Sequence, residues 1–239
     1  MTSDKDPALE AISCYPIAHV HSDFPEKFGI PRQAGLVPQL RSRIVFTKQY
    51  RRAEAIKGLA DFSHLWLIWV FSAAERMQPN GSLMVRPPRL GGDIRMGVFA
   101  TRSPFRPNPI GLSSVELLDI DEADPQGPSL LVAGADLMHL TPIIDIKPYV
   151  AADLHPGAKF GFTTQNTDYQ LEVDFPAELM ADIPAEKLPA LLGILAQDPR
   201  PAYQNDPNRS YGLAFAGHNI RFQVRGKRLS VIEVTRLDS

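Results

Sequence analysis

Between Arg86 and Ser114 the chain reads RPPRLGGDIRMGVFATRSPFRPNPIGLSS, where five arginines (Arg86, Arg89, Arg95, Arg102 and Arg106) face one acid, Asp93. Five minus one leaves a local excess of four positive charges, in a chain whose formal balance is −2 at pH 7. This is chemistry for anions: a planar guanidinium suits a carboxylate or a phosphate, which it can grip with two parallel hydrogen bonds. Arg102 and Arg106 are the best placed. Around them, in RSPFRPNP, prolines fix φ near about −65° and push the preceding residues into extended geometry, so both arginines project from a stiff backbone. Phe105 between them offers a ring for stacking on a nucleobase. The same prolines would serve equally well to shape a loop rim and nothing more.

Asp136, Asp145 and Lys147 form a second group, in GADLMHLTPIIDIKPY. Asp145 and Lys147 are two apart in an expected strand and share a face, as a pocket wall or as a plain ion pair. Carboxylates after strand ends also bind ribose hydroxyls, and residue type alone does not divide the roles between the two aspartates. His64 opens an apolar stretch and reads either as an acid–base group or as a hydrogen-bonded core imidazole. His19 and His21 share a strand face but lack a third ligand, and no metal is expected. Cys14, the single cysteine, excludes an intramolecular disulfide and any multi-thiolate site. A phosphate loop, a GxGxxG turn, HExxH and GxSxG are all absent. A further run of cations, Arg41, Arg43, Lys48, Arg51, Arg52 and Lys57, is opposed only by Glu54. On its own it reads as a solvated surface, but together with the arginine loops it suggests a polyanion footprint.

These groups need a scaffold, and 239 residues with 44% hydrophobic content can bury a sizeable core. No apolar run approaches the roughly 20 residues of a membrane helix, and MTSDKDPALE is unlike a targeting peptide, so cytoplasmic residence is expected. Phe62 to Ser72 (FSHLWLIWVFS) is the clearest buried strand, β-branched and aromatic with no charge. Strands are expected also at 12–21, where Pro16 marks an edge or bulge, and at 43–47, 95–101, 111–120, 129–135 and 143–150. A short helix is expected at 52–59, and 24–35 reads as an ordered loop. Many short strands and almost no helix over residues 10–150 argue for a mainly β fold, closed as a barrel or packed as a sandwich. After about Gly161 the pattern changes to a helix at 184–196, which Pro189 would split, and strands at 211–216, 220–225 and 229–235. That is a small α+β unit, giving domains at 1–160 and 161–239.

FGIPRQAGL, FSHLWLIWVF, VRPPRLGGDIRMGVFATRSPFRPNPIGLSSVELL, DLMHLTPIIDIKPY and LAQDPRPAY, in this order, resemble the TrmO family of the TsaA-like superfamily. The resemblance spans nearly the whole chain and is weakest over 151–182. It implies an S-adenosylmethionine-dependent enzyme that methylates N6 of threonylcarbamoyladenosine beside the anticodon of threonine tRNA. It implies a single-sheet β-barrel working as a homodimer, which accounts for the missing glycine fingerprint of the usual methyltransferase fold. Carried over by motif, the donor site would use Pro31, Arg32, Gln33, Ser72, Arg102, Leu112, Gly134, Ala135 and Asp136. Arg106, Lys147, Arg200 and Tyr203 would contact substrate or tRNA. The ureido-like N6 has a delocalised lone pair, so a nearby base would help remove its proton, with Asp145 the first candidate and His64 the second. A non-catalytic tRNA-binding barrel is the alternative.

Overall fold

The computed structural model describes residues 12–72, 82–87, 94–125, 127–164, 169–201, 204 and 206–237. Six strands close a barrel: β1 (Ala18–His21), β2 (Arg41–Phe46), β3 (His64–Val70), β6 (Ile110–Asp121), β7 (Ser129–Ala133) and β8 (Pro142–Pro148). Their order round the barrel is β1-β2-β7-β6-β3-β8, and every pairing is antiparallel. The two-residue period of each strand decides what fills it. Leu65, Leu67 and Trp69 of β3 point inward with Val20, Ile44, Val115, Leu130, Val132 and Ile143, and these side chains form the barrel core. Closure leaves no open edge in this sheet. β6 makes it possible by its length: its first half pairs with β3 and its second half with β7.

The region expected as one strand at 95–101 folds otherwise. Only Met96–Gly97 (β5) pairs, with Met84–Val85 (β4), and the chain then turns through a 3-10 helix at Val98–Ala100. Val98 is the residue this turn buries, while Phe99 is 75% exposed. The segment belongs to the long β3–β6 connection and not to the barrel wall. At 52–59 the helix is a single turn, α1 (Ala53–Ile56), because Gly58 takes φ 81° and starts a 3-10 turn. Pro16 leaves the first strand to begin at Ala18.

The second unit packs α3 (Leu188–Ala196) against a four-stranded sheet of order β10-β11-β12-β9, from β9 (Glu172–Asp174), β10 (Ser210–Phe215), β11 (His218–Arg225) and β12 (Arg228–Arg236). A one-turn helix, α2 (Ala177–Met180), follows β9. Pro189 lies in the first turn of α3, where its missing N–H costs nothing, and a separate 3-10 turn at Ala185–Lys187 precedes it. β9 runs parallel to β12 and was not legible, since Glu-Val-Asp is too short and polar to alternate. The buried cluster of this unit includes Phe24, Val37 and Leu40 from the β1–β2 connection beside Leu191, Leu195, Leu213 and Phe222. Asp23 reaches the same unit through an ion pair with Lys187 at 2.6 Å.

Candidate functional site

Strand direction makes the connections that follow β1, β3 and β7 leave from one end of the barrel. Among them lies a cavity of about 510 Å3, a size that suits a nucleoside-sized ligand. Its floor is made by Trp69, whose ring covers the cross-strand partner Gly111. A side chain at Gly111 would strike that ring, since an added Cβ would fall within 2.6 Å of three of its atoms. Phe71 meets Trp69 edge-on at 4.3 Å between centroids.

Trp69 also begins a hydrogen-bond relay. Its indole Nε1–H donates to Ser113 Oγ at 3.0 Å, and the Ser113 hydroxyl donates to Asp136 Oδ1 at 2.6 Å. A hydroxyl has one proton, so with Trp69 as its donor Ser113 turns that proton to the carboxylate. Burial pushes the Asp136 carboxyl above the usual carboxylate range, against the opposing pull of Ser113, its own backbone N–H, the Arg102 charge and the Ala34 N–H. Four cations, Lys27, Arg32, Arg102 and Arg106, line the cavity with this one carboxylate. Arg102 Nη1 donates to Gln33 Oε1 at 2.8 Å, which ties the arginine loop to the 22–40 loop. Arg106 Nη1 folds back on Thr101 O at 3.2 Å.

Of the residues expected around the donor, Pro31, Arg32, Gln33, Ser72, Arg102, Leu112 and Asp136 all line this cavity. Gly134 and Ala135 stand behind its wall. Gly134 donates its N–H to Leu40 O and accepts from Gly35 N–H at 2.9 Å, and its φ of 71° is the left-handed conformation that favours glycine. Ala135 is buried in the barrel core. Arg106 is in the cavity, whereas Phe105 is exposed and does not line it.

The structure does not bring Asp145, Lys147 or His64 to the cavity. Asp145 pairs with Lys147 at 2.8 Å on the outer barrel face, both partly exposed. His64 Nδ1 lies 3.0 Å from Ser63 Oγ at the far end of β3. Arg200 belongs to the second unit, where its Nε and Nη2 each donate to Asp198 at 2.8 Å. The pair is largely but not fully buried, with side chains 9% and 12% exposed, and Tyr169 OH donates to the same carboxylate. Burial alone would raise the Asp198 carboxyl, but the Arg200 hydrogen bonds and charge hold it below the ordinary range. Tyr203 lies outside the described residues.

The second run of cations is largely engaged in the fold. Arg41 donates to the Pro38 and Leu40 carbonyls, Arg43 bonds Asp121, Asp124 and Ser129, and Arg51 Nε donates to Phe46 O. Sequence reasoning missed Ser113 and Trp69. The signal was present: Ser113 falls on the inward phase of β6, between Gly111 and Val115, where a polar residue needs a buried partner.

Residues 19–153 match the family described as tRNA-methyltransferase O N-terminal domain, and residues 168–237 its C-terminal domain. A tRNA (adenine(37)-N6)-methyltransferase of Escherichia coli is 39% identical over 217 residues, covering 87% of this chain and 91% of that protein. A protein of Pseudomonas aeruginosa named for S-adenosylmethionine-dependent methyl transfer is 40% identical over 209 residues, covering 84% and 87%. The crystal structure of TrmO from Pseudomonas aeruginosa superposes with a TM-score of 0.76 at 31% identity, covering 95% of this chain and 98% of that one.

Proposed function

The chain belongs to the tRNA-methyltransferase O family, and from that premise we propose that its substrate is threonylcarbamoyladenosine next to the anticodon of threonine tRNA. Its reaction is S-adenosylmethionine-dependent methylation of a tRNA adenine at N6, the activity for which its relatives are named. The observation that carries the reading is the cavity itself, with a guanidinium at its mouth and one carboxylate held by a buried relay. The donor's own groups fit these partners. Arg102 matches its carboxylate, Asp136 accepts from its ribose hydroxyls or ammonium, and Pro31, Leu112 and Met138 offer apolar surface to its adenine. When bound, S-adenosylmethionine supplies an electrophilic methyl group on a sulfonium.

The chain's contribution is positioning, because displacement at such a methyl needs in-line approach and little covalent help. Arg106, stiffened by its neighbouring proline, is proposed to meet the substrate's threonyl carboxylate, with Lys147, Arg200 and Tyr203 on the tRNA side. Asp145 is proposed to accept the N6 proton, with His64 second. Ile68 pairs with both Leu112 and Asp145, so that carboxylate lies two strands from a cavity residue on the same outer face. Residues 1–160 are assigned to donor binding and 161–239 to tRNA contacts. We also propose a homodimer, supported by Ile110 and Leu112, which are 42% and 45% exposed at the cavity rim. Cytoplasmic residence follows from the tRNA substrate, and among the described residues no helix is long and apolar enough to cross a membrane.

The test compares labelled methyl incorporation into threonine tRNA with and without the threonylcarbamoyl group. Incorporation should depend on the modification, because Arg106, proposed to meet the threonyl carboxylate, is idle without it. Equal rates would remove the substrate assignment, and no transfer to either tRNA would remove the enzyme.

A further inference from the structure

Asp136 can hold a donor only if its carboxylate is fixed, and the residue that fixes it is not one that touches the ligand. Ser113 is 2% exposed and sits on the inward face of β6, below the cavity floor. Its oxygen accepts from Trp69 Nε1, and its proton goes to Asp136 Oδ1. A serine hydroxyl has three staggered sites, the indole donor occupies one of them, and of the two left the proton takes the one that meets Asp136.

We propose that Ser113, oriented by Trp69, is a positioning residue for the methyl donor: its hydroxyl aims the Asp136 carboxylate at the donor's ribose hydroxyls or ammonium. The inference rests on the assignment of Asp136 to donor binding. Ser113 takes one lone pair of Oδ1, and the Asp136 and Ala34 N–H groups also bear on the carboxylate, so of its roughly four acceptor sites the ligand meets those that these donors leave. The arrangement also bears on charge. The site opposes ionisation of Asp136 by burial, and Ser113 is the largest of the contributions that favour it. The groups that face this carboxylate are Arg102, with Lys27, Arg32 and Arg106 on the same lining; among the described lining residues there is no second carboxylate and no histidine. Loss of the Ser113 proton therefore leaves the carboxylate both less well aimed and less readily ionised, and the second defect grows as pH falls.

The experiment is titration of the full chain with S-adenosylmethionine by calorimetry, between about pH 5.5 and 8.5, for the unaltered protein, Ser113→Ala, Ser113→Thr and Trp69→Phe. Ser113→Ala should weaken donor affinity on the order of tenfold near neutrality, with a larger loss at the acid end. Ser113→Thr keeps the hydroxyl and should restore the pH dependence of the unaltered protein. Trp69→Phe leaves the hydroxyl free to rotate and should give a smaller loss of the same kind. A thermal melt of each variant separates these effects from unfolding. Donor affinity unchanged in Ser113→Ala, or a loss equal at every pH and not rescued by threonine, overturns the inference while leaving the function standing. Failure of the unaltered protein to bind donor at all overturns the functional reading, and this inference with it.

Discussion

Substitution of Gly111 by alanine isolates the packing that holds the cavity floor. Gly111 has no left-handed φ, so alanine brings no backbone strain and the whole effect is steric. The new methyl would fall within 2.6 Å of three atoms of the Trp69 ring, which must retreat by about 1 Å to reach ordinary contact. Overpacking of this kind costs about 1–3 kcal/mol, and displacement of the indole from Ser113 forfeits a buried hydrogen bond worth about 1 kcal/mol. The sum, about 2–4 kcal/mol, corresponds in a chain of this size to a fall in Tm on the order of 10 °C. Differential scanning calorimetry measures it directly. A double-mutant cycle sharpens the assignment: in a Trp69→Leu background the same glycine substitution should cost under about 1 kcal/mol, because the ring it strikes is gone. A Gly111→Ala protein that melts within about 1 °C of the unaltered one would refute the close approach described for Trp69.

Arg102→Lys should weaken S-adenosylmethionine binding about tenfold by calorimetry, since a lysine cannot reproduce a planar contact with a carboxylate while still donating to Gln33; unchanged affinity makes Arg102 a surface charge. Arg200→Ala should destabilise the protein by about 2 kcal/mol in urea titrations, because it leaves the largely buried Asp198 carboxylate without its cation. The sign of the pH effect follows from the lowered Asp198 carboxyl. Its pairing stabilises the fold above the unfolded carboxylate range near about pH 4 and is lost as acid titrates the folded group, a dependence that Arg200→Ala should lack. Asp145→Asn should lower turnover and leave donor affinity unchanged, so full turnover removes it as the proton acceptor.

The mainly β fold was legible because FSHLWLIWVFS is an uncharged run rich in β-branched and aromatic residues and turn chemistry separates the short strands, while closure as a barrel was what the resemblance implied. What failed was the arginine-rich connection, where an apolar MGVFA looks like a strand but Phe99 is turned outward by a 3-10 turn. Motif resemblance reached part of the cavity, since Pro31, Arg102 and Asp136 sit in loops whose sequence is distinctive. Residues expected from strand phase alone were another matter. Asp145 and Lys147 do share a face, as their spacing required, but spacing cannot say which side of a closed barrel that face is on. The hydrogen-bond relay was hidden for a similar reason, since Trp69, Ser113 and Asp136 are far apart in the chain and meet only once β3, β6 and the β7–β8 loop are neighbours.

The connection from Ser22 to Leu40 belongs to two masters. Phe24, Val37 and Leu40 are core residues of the C-terminal unit, while Pro31, Arg32 and Gln33 between them wall the cavity at the barrel mouth. Gly29, at φ 85°, rests against the Leu213 side chain, which an added Cβ would displace, and the Gly35 N–H is bonded to Gly134 O. Such a segment makes the two cores thermodynamic partners. Local opening of the α3 sheet unit would release the loop and take one wall of the cavity with it. Conversely, a ligand that binds only the walled cavity draws that distant unit toward the closed state, by RT ln(1 + [L]/Kd). Amide exchange in β10 and β11 should therefore slow when the barrel is loaded, although no residue of those strands lines the cavity.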